Sequence, residues 1–181
     1  MTDLAVTERA ISDSTVRLAA SGDQIAFARL VAEHHGSMAR VAYVITGDAE
    51  TARDAVQSAW AIAWRRMGAL RDIGQVRAWL VAIAANEARQ QLRRQRRHVV
   101  IDLSVAGDIS DGRGSDDLIG LVDLERALRK LKPDDRSLLA LRFVAGLDST
   151  EIAAQLGGSA SGVRSRLSRL LERLRMDLDH D

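Results

Sequence analysis

Two blocks of arginine are the residues of this 181-residue chain that point most directly to a chemistry. The first block holds Arg89, Arg93, Arg94, Arg96 and Arg97, and the second holds Arg164, Arg166, Arg169, Arg173 and Arg175. A guanidinium group binds phosphate oxygens regardless of base sequence, and it can also donate two parallel hydrogen bonds to guanine. The two blocks therefore indicate two contacts with a polyanion, although two solvated helix faces remain the alternative interpretation.

A glycine turn between two predicted helices precedes the second block. Asp148 and Glu151 have the spacing of a reciprocal N-terminal cap. Gly157 can adopt the positive φ that ends a helix, and Ser159 can cap the helix that follows. This order predicts a helix-turn-helix, whose second helix enters the major groove of DNA. A structural corner between two packed helices is the alternative.

The second helix of that motif should present one face to the core and the other to DNA. If Val163 and Leu167 point inward, the 100° step per residue turns their neighbours outward. The residues predicted to reach base edges are Arg164, Ser165, Ser168 and Arg169. Arg166 and Arg173 are expected to contact the phosphate backbone.

The rest of the chain reads as helix almost throughout, because alanine, leucine and arginine dominate and proline occurs once. Apolar residues at three- and four-residue steps predict an all-α protein of two small domains. The first domain is placed at 14–97, its last helix running from about Val76 to Arg97. An acidic linker is expected at 98–117 and a second domain at 118–181. Residues 1–13 form an N-terminal extension whose order the sequence leaves open.

Several function classes are disfavoured by what the sequence lacks. It has no cysteine, and its four histidines show no metal-ligand spacing. No phosphate-binding glycine loop or nucleophile elbow stands out, so we expect neither an enzyme nor a bound cofactor or metal. No leader peptide is visible, and no uncharged stretch approaches the ~20 residues of a membrane helix. We expect a cytoplasmic protein without membrane insertion.

The order of four segments resembles the extracytoplasmic-function (ECF) group of bacterial RNA polymerase sigma factors. These segments are GDQIAF (22–27), ITGDAETARDAVQSAWAIAWRR (45–66), RAWLVAIAANEARQQLRRQRR (77–97) and GLDSTEIAAQLGGSASGVRSRL (146–167). The resemblance implies a region 2-like helical bundle followed by a region 4-like helix-turn-helix domain. It also implies a transcription initiation factor that recognises the minus-thirty-five element with the second domain and melts the minus-ten element with the first. The implied partners are promoter DNA, the β′ clamp helices and β flap of core polymerase, and an anti-sigma factor.

The same resemblance assigns residues to two surfaces of the first domain. The contact with core polymerase is expected at Asp54, Gln57, Trp60 and Arg65. A core position is the alternative for Trp60. The contact with the minus-ten element is expected at Leu70, Arg71, Asp72, Asn86, Arg93, Arg94, Arg96 and Arg97. Leu70 stands where the family commonly has an aromatic residue, and Asp72 where glycine is frequent.

Two other functions remain open at this point. A stand-alone helix-turn-helix regulator would bind promoter duplex by itself, usually as a dimer on two half-sites. A purely structural helical adaptor would show no salt-dependent affinity for DNA. A sigma factor, in contrast, would need core polymerase for its activity.

Overall fold

The computed structural model describes residues 13–101 and 124–179, and this part of the chain consists of helices and turns. The first domain contains α1 (13–20), α2 (Gln24–Thr46), α3 (Ala49–Arg66), the 3-10 turns Met67–Ala69 and Ile73–Gln75, and α4 (Val76–Ile101). The second contains α5 (124–130), α6 (Pro133–Leu139), a π-helical turn at Ala140–Val144, α7 (Ser149–Leu156) and α8 (Ala160–Asp179). The predicted all-α, two-domain architecture is confirmed.

Local caps define the helices of the first domain. The Asp23 carboxylate accepts a hydrogen bond from the Ala26 amide at 2.9 Å and starts α2. Gly47, at φ 70°, ends that helix in the left-handed region that favours glycine. The Asp48 carboxylate then accepts from the Thr51 amide at 2.7 Å and starts α3. Helices α2, α3 and α4 pack pairwise around a core that includes the fully buried Leu30, Met38, Val41, Ala59 and Leu80.

The second domain begins with a proline-started helix. Pro133 occupies the first turn of α6, where its missing amide proton removes no helical hydrogen bond. The helix then widens into the π-helical turn and stops before Gly146, at φ 69°. Leu138, Leu141 and Ile152 are buried between these elements and α7. This small core supports α8.

The two domains pack directly against each other. Helices α2 and α4 of the first domain contact α6, the π-helical turn and α7 of the second. The Arg77 guanidinium on α4 donates a hydrogen bond to the Ala145 carbonyl that follows the π-helical turn. The buried apolar side chains of both domains form one continuous cluster.

Some boundaries differ from those that the sequence predicted. Helix α4 continues to Ile101 and not to Arg97, so the first four residues of the predicted linker are helical. No glycine or proline follows Arg97 until Gly107, so the sequence carries no strong stop signal. Helix α5 ends at residue 130, and two non-helical residues separate it from Pro133, where α6 begins. The rest of the linker and residues 1–12 lie outside the described residues.

Two aromatic residues that follow helical apolar spacing are more exposed than this spacing suggests. Phe143, within the π-helical turn, is 59% exposed. Trp64 is 39% exposed and packs edge to face on Phe27. Among the described helices, none combines the length and hydropathy needed to cross a bilayer.

Candidate nucleic-acid and partner interfaces

The helix-turn-helix forms as its cap residues predict. The Asp148 carboxylate accepts hydrogen bonds from the amides of Thr150 and Glu151 at 2.7 and 2.8 Å. The Glu151 carboxylate accepts in turn from the Asp148 amide at 2.8 Å. The pKa of Asp148 lies below its usual value mainly because its carboxylate accepts the hydrogen bond from the Glu151 amide. The hydrogen bond from the Thr150 amide lowers this pKa further. Helix α7 therefore starts at a capping box.

The turn after α7 sets the start of α8. Gly157 and Gly158 have φ angles of 75° and 133°, which side chains with a Cβ rarely adopt. The Ser159 hydroxyl then accepts a hydrogen bond from the Gly162 amide at 3.1 Å. No atom lies within 4 Å of the place where a Cβ on either glycine would sit, so backbone conformation and not crowding selects glycine there.

Helix α8 has the two faces predicted for it. Leu167, Leu170 and Leu174 are buried and Val163 is half-buried against the core. The six residues predicted to contact DNA from this helix are all exposed: Arg164, Ser165, Arg166, Ser168, Arg169 and Arg173. Their exposure is compatible with a ligand contact, and the contact itself stays a prediction.

Arg166 is held by a carboxylate that the sequence analysis did not identify. Its Nε and Nη2 atoms donate to Asp135 Oδ1 at 3.0 and 2.6 Å. Asp135 lies in the first turn of α6, where the helix dipole favours a negative charge. Because the two residues are 31 positions apart, no local pattern indicates this pair. The Asp135–Arg166 pair links α8 to α6. It also engages Arg166, which was predicted to bind phosphate.

The basic end of α4 is also partly engaged. Arg89 Nη1 donates to Asp134 Oδ1 at 3.1 Å, and Arg89 Nη2 donates to Asn86 Oδ1 at 3.3 Å. Arg93 Nη2 lies 3.8 Å from the same Asp134 oxygen. Arg93, Arg94 and Arg96 are exposed, whereas the side chain of Arg97 lies outside the described residues. Asp134 belongs to the second domain, so these contacts join the two domains.

A cavity of about 310 Å³ lies beside this part of α4. Asn86, which the resemblance places at the minus-ten contact, lines it together with Ile62, Arg66, Trp79, Ala82, Ile83, Glu87, Gln90 and, from the second domain, Gln155. Trp79 is half-buried, so it contributes both to the core and to the cavity wall. Glu87 is a buried carboxylate that the sequence analysis did not single out. In the sequence, Glu87 stands near alanines of α4 that are also buried, and this pattern does not mark it as a residue that lines a cavity.

The loop residues predicted for the same contact lie elsewhere. Leu70 is half-buried against the core, and Arg71 and Asp72 are exposed. The Asp72 carboxylate accepts a hydrogen bond from the Gly74 amide at 3.0 Å, so it starts the 3-10 turn before α4. None of these three residues lines the cavity around Asn86.

A second surface is formed by α2 and α3. Asp54, Gln57 and Arg65 are exposed, as expected for residues that contact a partner. Trp60 is half-buried: its ring packs edge to face on Phe27, and its Nε1 atom donates to His35 Nδ1 at 3.3 Å. The ring thus packs against the domain while the indole N–H lies at its surface.

A groove of about 250 Å³ adjoins this surface. It is lined by His35, Ala39, Tyr43, Ala49, Ala52, Arg53 and Val56. Tyr43 is 45% exposed and was not singled out in the sequence.

Comparison with known proteins matches both domains. Residues 30–98 match the family model Sigma-70 region 2, and residues 121–174 match Sigma-70, region 4. The RNA polymerase sigma factor CnrH of Cupriavidus metallidurans is 30% identical over 175 residues, covering 90% of this chain and 92% of CnrH. The ECF sigma factor SigM of Mycobacterium tuberculosis is 29% identical over 154 residues, covering 85% of this chain and 78% of SigM.

Other similar proteins give the same assignment. The probable sigma factor RfaY of Xanthomonas campestris pv. campestris is 32% identical over 168 residues, which cover 88% of this chain but 42% of RfaY. The structure of CnrH with the cytosolic domain of CnrY has a TM-score of 0.71 at 27% identity, covering 94% and 98% of the two chains. That of Bartonella quintana RpoE with the anti-sigma factor NepR has a TM-score of 0.71 at 25% identity, covering 86% and 98%.

Proposed function

The chain belongs to the RNA polymerase sigma factors, in their ECF group, and is a transcription initiation factor that directs core polymerase to promoters. We propose which surface of the chain binds each promoter element and which binds core polymerase. The observation that best supports this assignment is that two separate helix faces are exposed. One is the outer side of α8 and the other is the α4 face that holds Asn86. Each carries arginines beside groups that can read a base.

The second domain reads the minus-thirty-five element with α8. Arg164 and Arg169 are exposed on the side of the helix opposite its buried leucines, so they can donate paired hydrogen bonds to guanine in the major groove. Ser165 and Ser168 reach bases or phosphates from the same side. Arg166 and Arg173 contact the backbone and set the register of the helix. For Arg166, a DNA phosphate replaces the Asp135 carboxylate to which it donates in this structure.

The first domain holds the opened minus-ten strand along α4. Arg93, Arg94, Arg96 and Arg97 bind its phosphates without regard to sequence, which gives the affinity a steep salt dependence. The cavity around Asn86 has an indole wall from Trp79 and amide groups from Asn86 and Gln90, which suit a base that has left the stack. Leu70, Arg71 and Asp72 contact the strand beside the cavity and not inside it.

The α2–α3 surface binds core polymerase at the β′ clamp helices. The exposed Asp54, Gln57 and Arg65 supply polar contacts, and the Trp60 edge and the groove beside Tyr43 supply apolar area. The second domain meets the β flap. Since RpoE of Bartonella quintana is seen with the anti-sigma factor NepR, we also assign an anti-sigma factor to this chain as an inhibitor that covers these surfaces. The chain acts by binding in the cytoplasm, without catalysis or a cofactor.

Transcription in vitro tests this proposal. Purified chain and core polymerase from the same host are combined on genomic DNA, and the transcript starts are sequenced. The proposal predicts starts downstream of one shared pair of elements, and loss of these starts when Asp54 and Gln57 are both changed to alanine. Tight binding of promoter duplex by the chain alone, with no start selection by polymerase, would instead identify a stand-alone regulator.

A further inference from the structure

Arg136 is a buried cation whose charge the neighbouring side chains do not balance. It lies in α6 and is 6% exposed. Among the described side chains, its Nε atom has no hydrogen-bond partner and its guanidinium forms no ion pair with a carboxylate. Buried charges in proteins are normally paired, because removal of an ion from water is costly. An anion beside Arg136 would offset this cost.

Two further arginines lie close to the Arg136 guanidinium. A Cβ on Gly47, the glycine that ends α2, would lie 3.7 Å from Arg129 Nε and 4.0 Å from Arg136 Nη1. Both guanidinium groups therefore converge on the C-terminal end of α2. Burial is the main cause that lowers the pKa of Arg136, and the charges of Arg96 and Arg129 lower it further. We call Arg96, Arg129 and Arg136 the arginine cluster.

The groups beside the arginine cluster balance only part of its charge. The C-terminal end of α2 carries roughly half a negative charge from the helix dipole. Glu125 supplies one full negative charge, and its Oε1 atom accepts a hydrogen bond from Arg129 Nη2 at 2.7 Å. Glu125 and Arg129 are 44% and 56% exposed, so solvent screens this pair. Positive charge thus remains in excess around the buried Arg136, and an excess of this kind attracts anions.

The chemistry of the arginine cluster favours one class of anion. A guanidinium donates two parallel hydrogen bonds to carboxylate or phosphate oxygens, so either group fits a single arginine. A terminal phosphate carries close to two negative charges at neutral pH, which suits three converging cations better than a carboxylate does. A phosphate within a DNA backbone carries a single charge. The cluster therefore favours a free or terminal phosphate group.

We propose that the arginine cluster binds a small phosphate compound that has a free or terminal phosphate group. Arg136 donates to the phosphate oxygens from the buried side, whereas Arg96 and Arg129 donate from the exposed side. Arg96 belongs to α4 and the other two arginines to the second domain, so the ligand contacts both domains. Arg129 and Arg136 are part of neither proposed DNA surface, so the site does not rest on the proposed function.

Calorimetric titration of the full chain with sodium pyrophosphate, at constant ionic strength set by chloride, tests the site. Arg136→Met removes the buried charge and keeps a long side chain. It should weaken pyrophosphate binding about 10- to 100-fold, as expected for loss of hydrogen bonds to a charged group. No measurable binding by the unmodified chain would overturn the site.

Arg164→Met is the matched control, because it makes the same substitution at an exposed arginine of α8. Its affinity for pyrophosphate should equal that of the unmodified chain. An equal loss of affinity in Arg136→Met and Arg164→Met would show only a general attraction of anions to a basic surface, and would contradict a specific site.

Thermal unfolding separates a ligand site from a packing role of Arg136. Pyrophosphate at 100 times its Kd should raise the Tm of the unmodified chain by about 5–10 °C and leave the Tm of Arg136→Met unchanged. Without pyrophosphate, the variant should be at least as stable as the unmodified chain, because it no longer buries an unbalanced charge. A variant that is less stable by the same amount with and without pyrophosphate would identify a packing role alone.

Single-stranded oligo(dT) without terminal phosphates tests whether a DNA backbone occupies the cluster instead. Its affinity, measured by fluorescence anisotropy at fixed salt, should be the same for Arg129→Met, Arg136→Met and the unmodified chain. A loss as large as the loss of pyrophosphate affinity would assign these arginines to DNA and overturn the site for a small ligand.

Discussion

Helices α4 and α8 both carry an arginine-rich face, but the arginines of the two faces differ in exposure and in their ion-pair partners. On α8, Arg164 and Arg169 are exposed, and Arg166 is paired within its own domain. On α4, Arg89 and Arg93 face a carboxylate of the other domain. Equal composition therefore does not give equal surroundings: the arginines of α8 are exposed and Arg166 pairs within its own domain, whereas Arg89 of α4 is 16% exposed and pairs with the other domain.

The largest expected effect comes from substitutions on the exposed face of α8. Changing Arg164 and Arg169 to alanine should cost about 1–3 kcal/mol of binding for each lost base contact and relax the sequence preference at the minus-thirty-five element. The measurement is start selection by the holoenzyme on a promoter library at fixed salt. Arg175→Ala, another exposed arginine of α8, serves as control. An unchanged sequence preference in the double variant would exclude these residues as readers.

Substitutions at the end of α4 should produce a smaller effect of a different kind. Arg93→Ala and Arg94→Ala should weaken binding of all single strands alike, because phosphate contacts carry no sequence information. The slope of log affinity against log salt should become shallower by about 0.7 for each lost contact, as expected for single strands. Titration of oligonucleotides over a range of salt measures both quantities. A slope equal to that of the unmodified chain would remove these residues from the contact.

The Asp135–Arg166 pair on the α8 side concerns stability more than binding. Asp135 is 12% exposed but Arg166 is 47% exposed, so solvent screens the pair and Asp135→Asn should lower the free energy of unfolding by only about 1 kcal/mol. Urea denaturation followed by circular dichroism measures this loss. Asp177→Asn, on the last turns of α8, should cost less. Equal stability of the Asp135→Asn variant and the unmodified chain would show that the pair contributes nothing.

The smallest effect is a pH dependence near the α4 side. His34 on α2 is buried and its Nε2 atom has no hydrogen-bond partner among the described residues. Burial lowers its pKa, the Arg77 charge lowers it further, and Glu33 opposes both. Since the unfolded state then takes up the proton more readily, stability is complete above about pH 6.5 and declines as the pH falls below that value. His34→Gln should flatten the decline between pH 7 and pH 5.5, and an identical decline in both proteins would refute this assignment.

Features set by neighbouring residues could be predicted from the sequence. The capping box at Asp148, the turn at Gly157 and the inward leucines of α8 follow from short spacings, and the structure confirms them. Each of these depends on helix geometry alone.

Features that depend on how helices are placed relative to one another could not be predicted. Arg77 and Ala145 are 68 positions apart and Arg89 and Asp134 are 45 apart, and no local pattern relates them. The π-helical turn that contains the exposed Phe143 also has no local signal in the sequence. Gln155 of α7 lines the cavity beside Asn86, and no local pattern relates these two residues either.

The central claim is that one chain reads two unlike promoter elements with α8 and α4 while it holds core polymerase. Transcription from one promoter, with the minus-thirty-five and the minus-ten elements altered separately, tests this most directly. We expect the Arg164→Ala, Arg169→Ala double variant to become insensitive to changes in the first element while it still requires the second. Equal sensitivity of this variant and the unmodified chain to both elements would contradict the account.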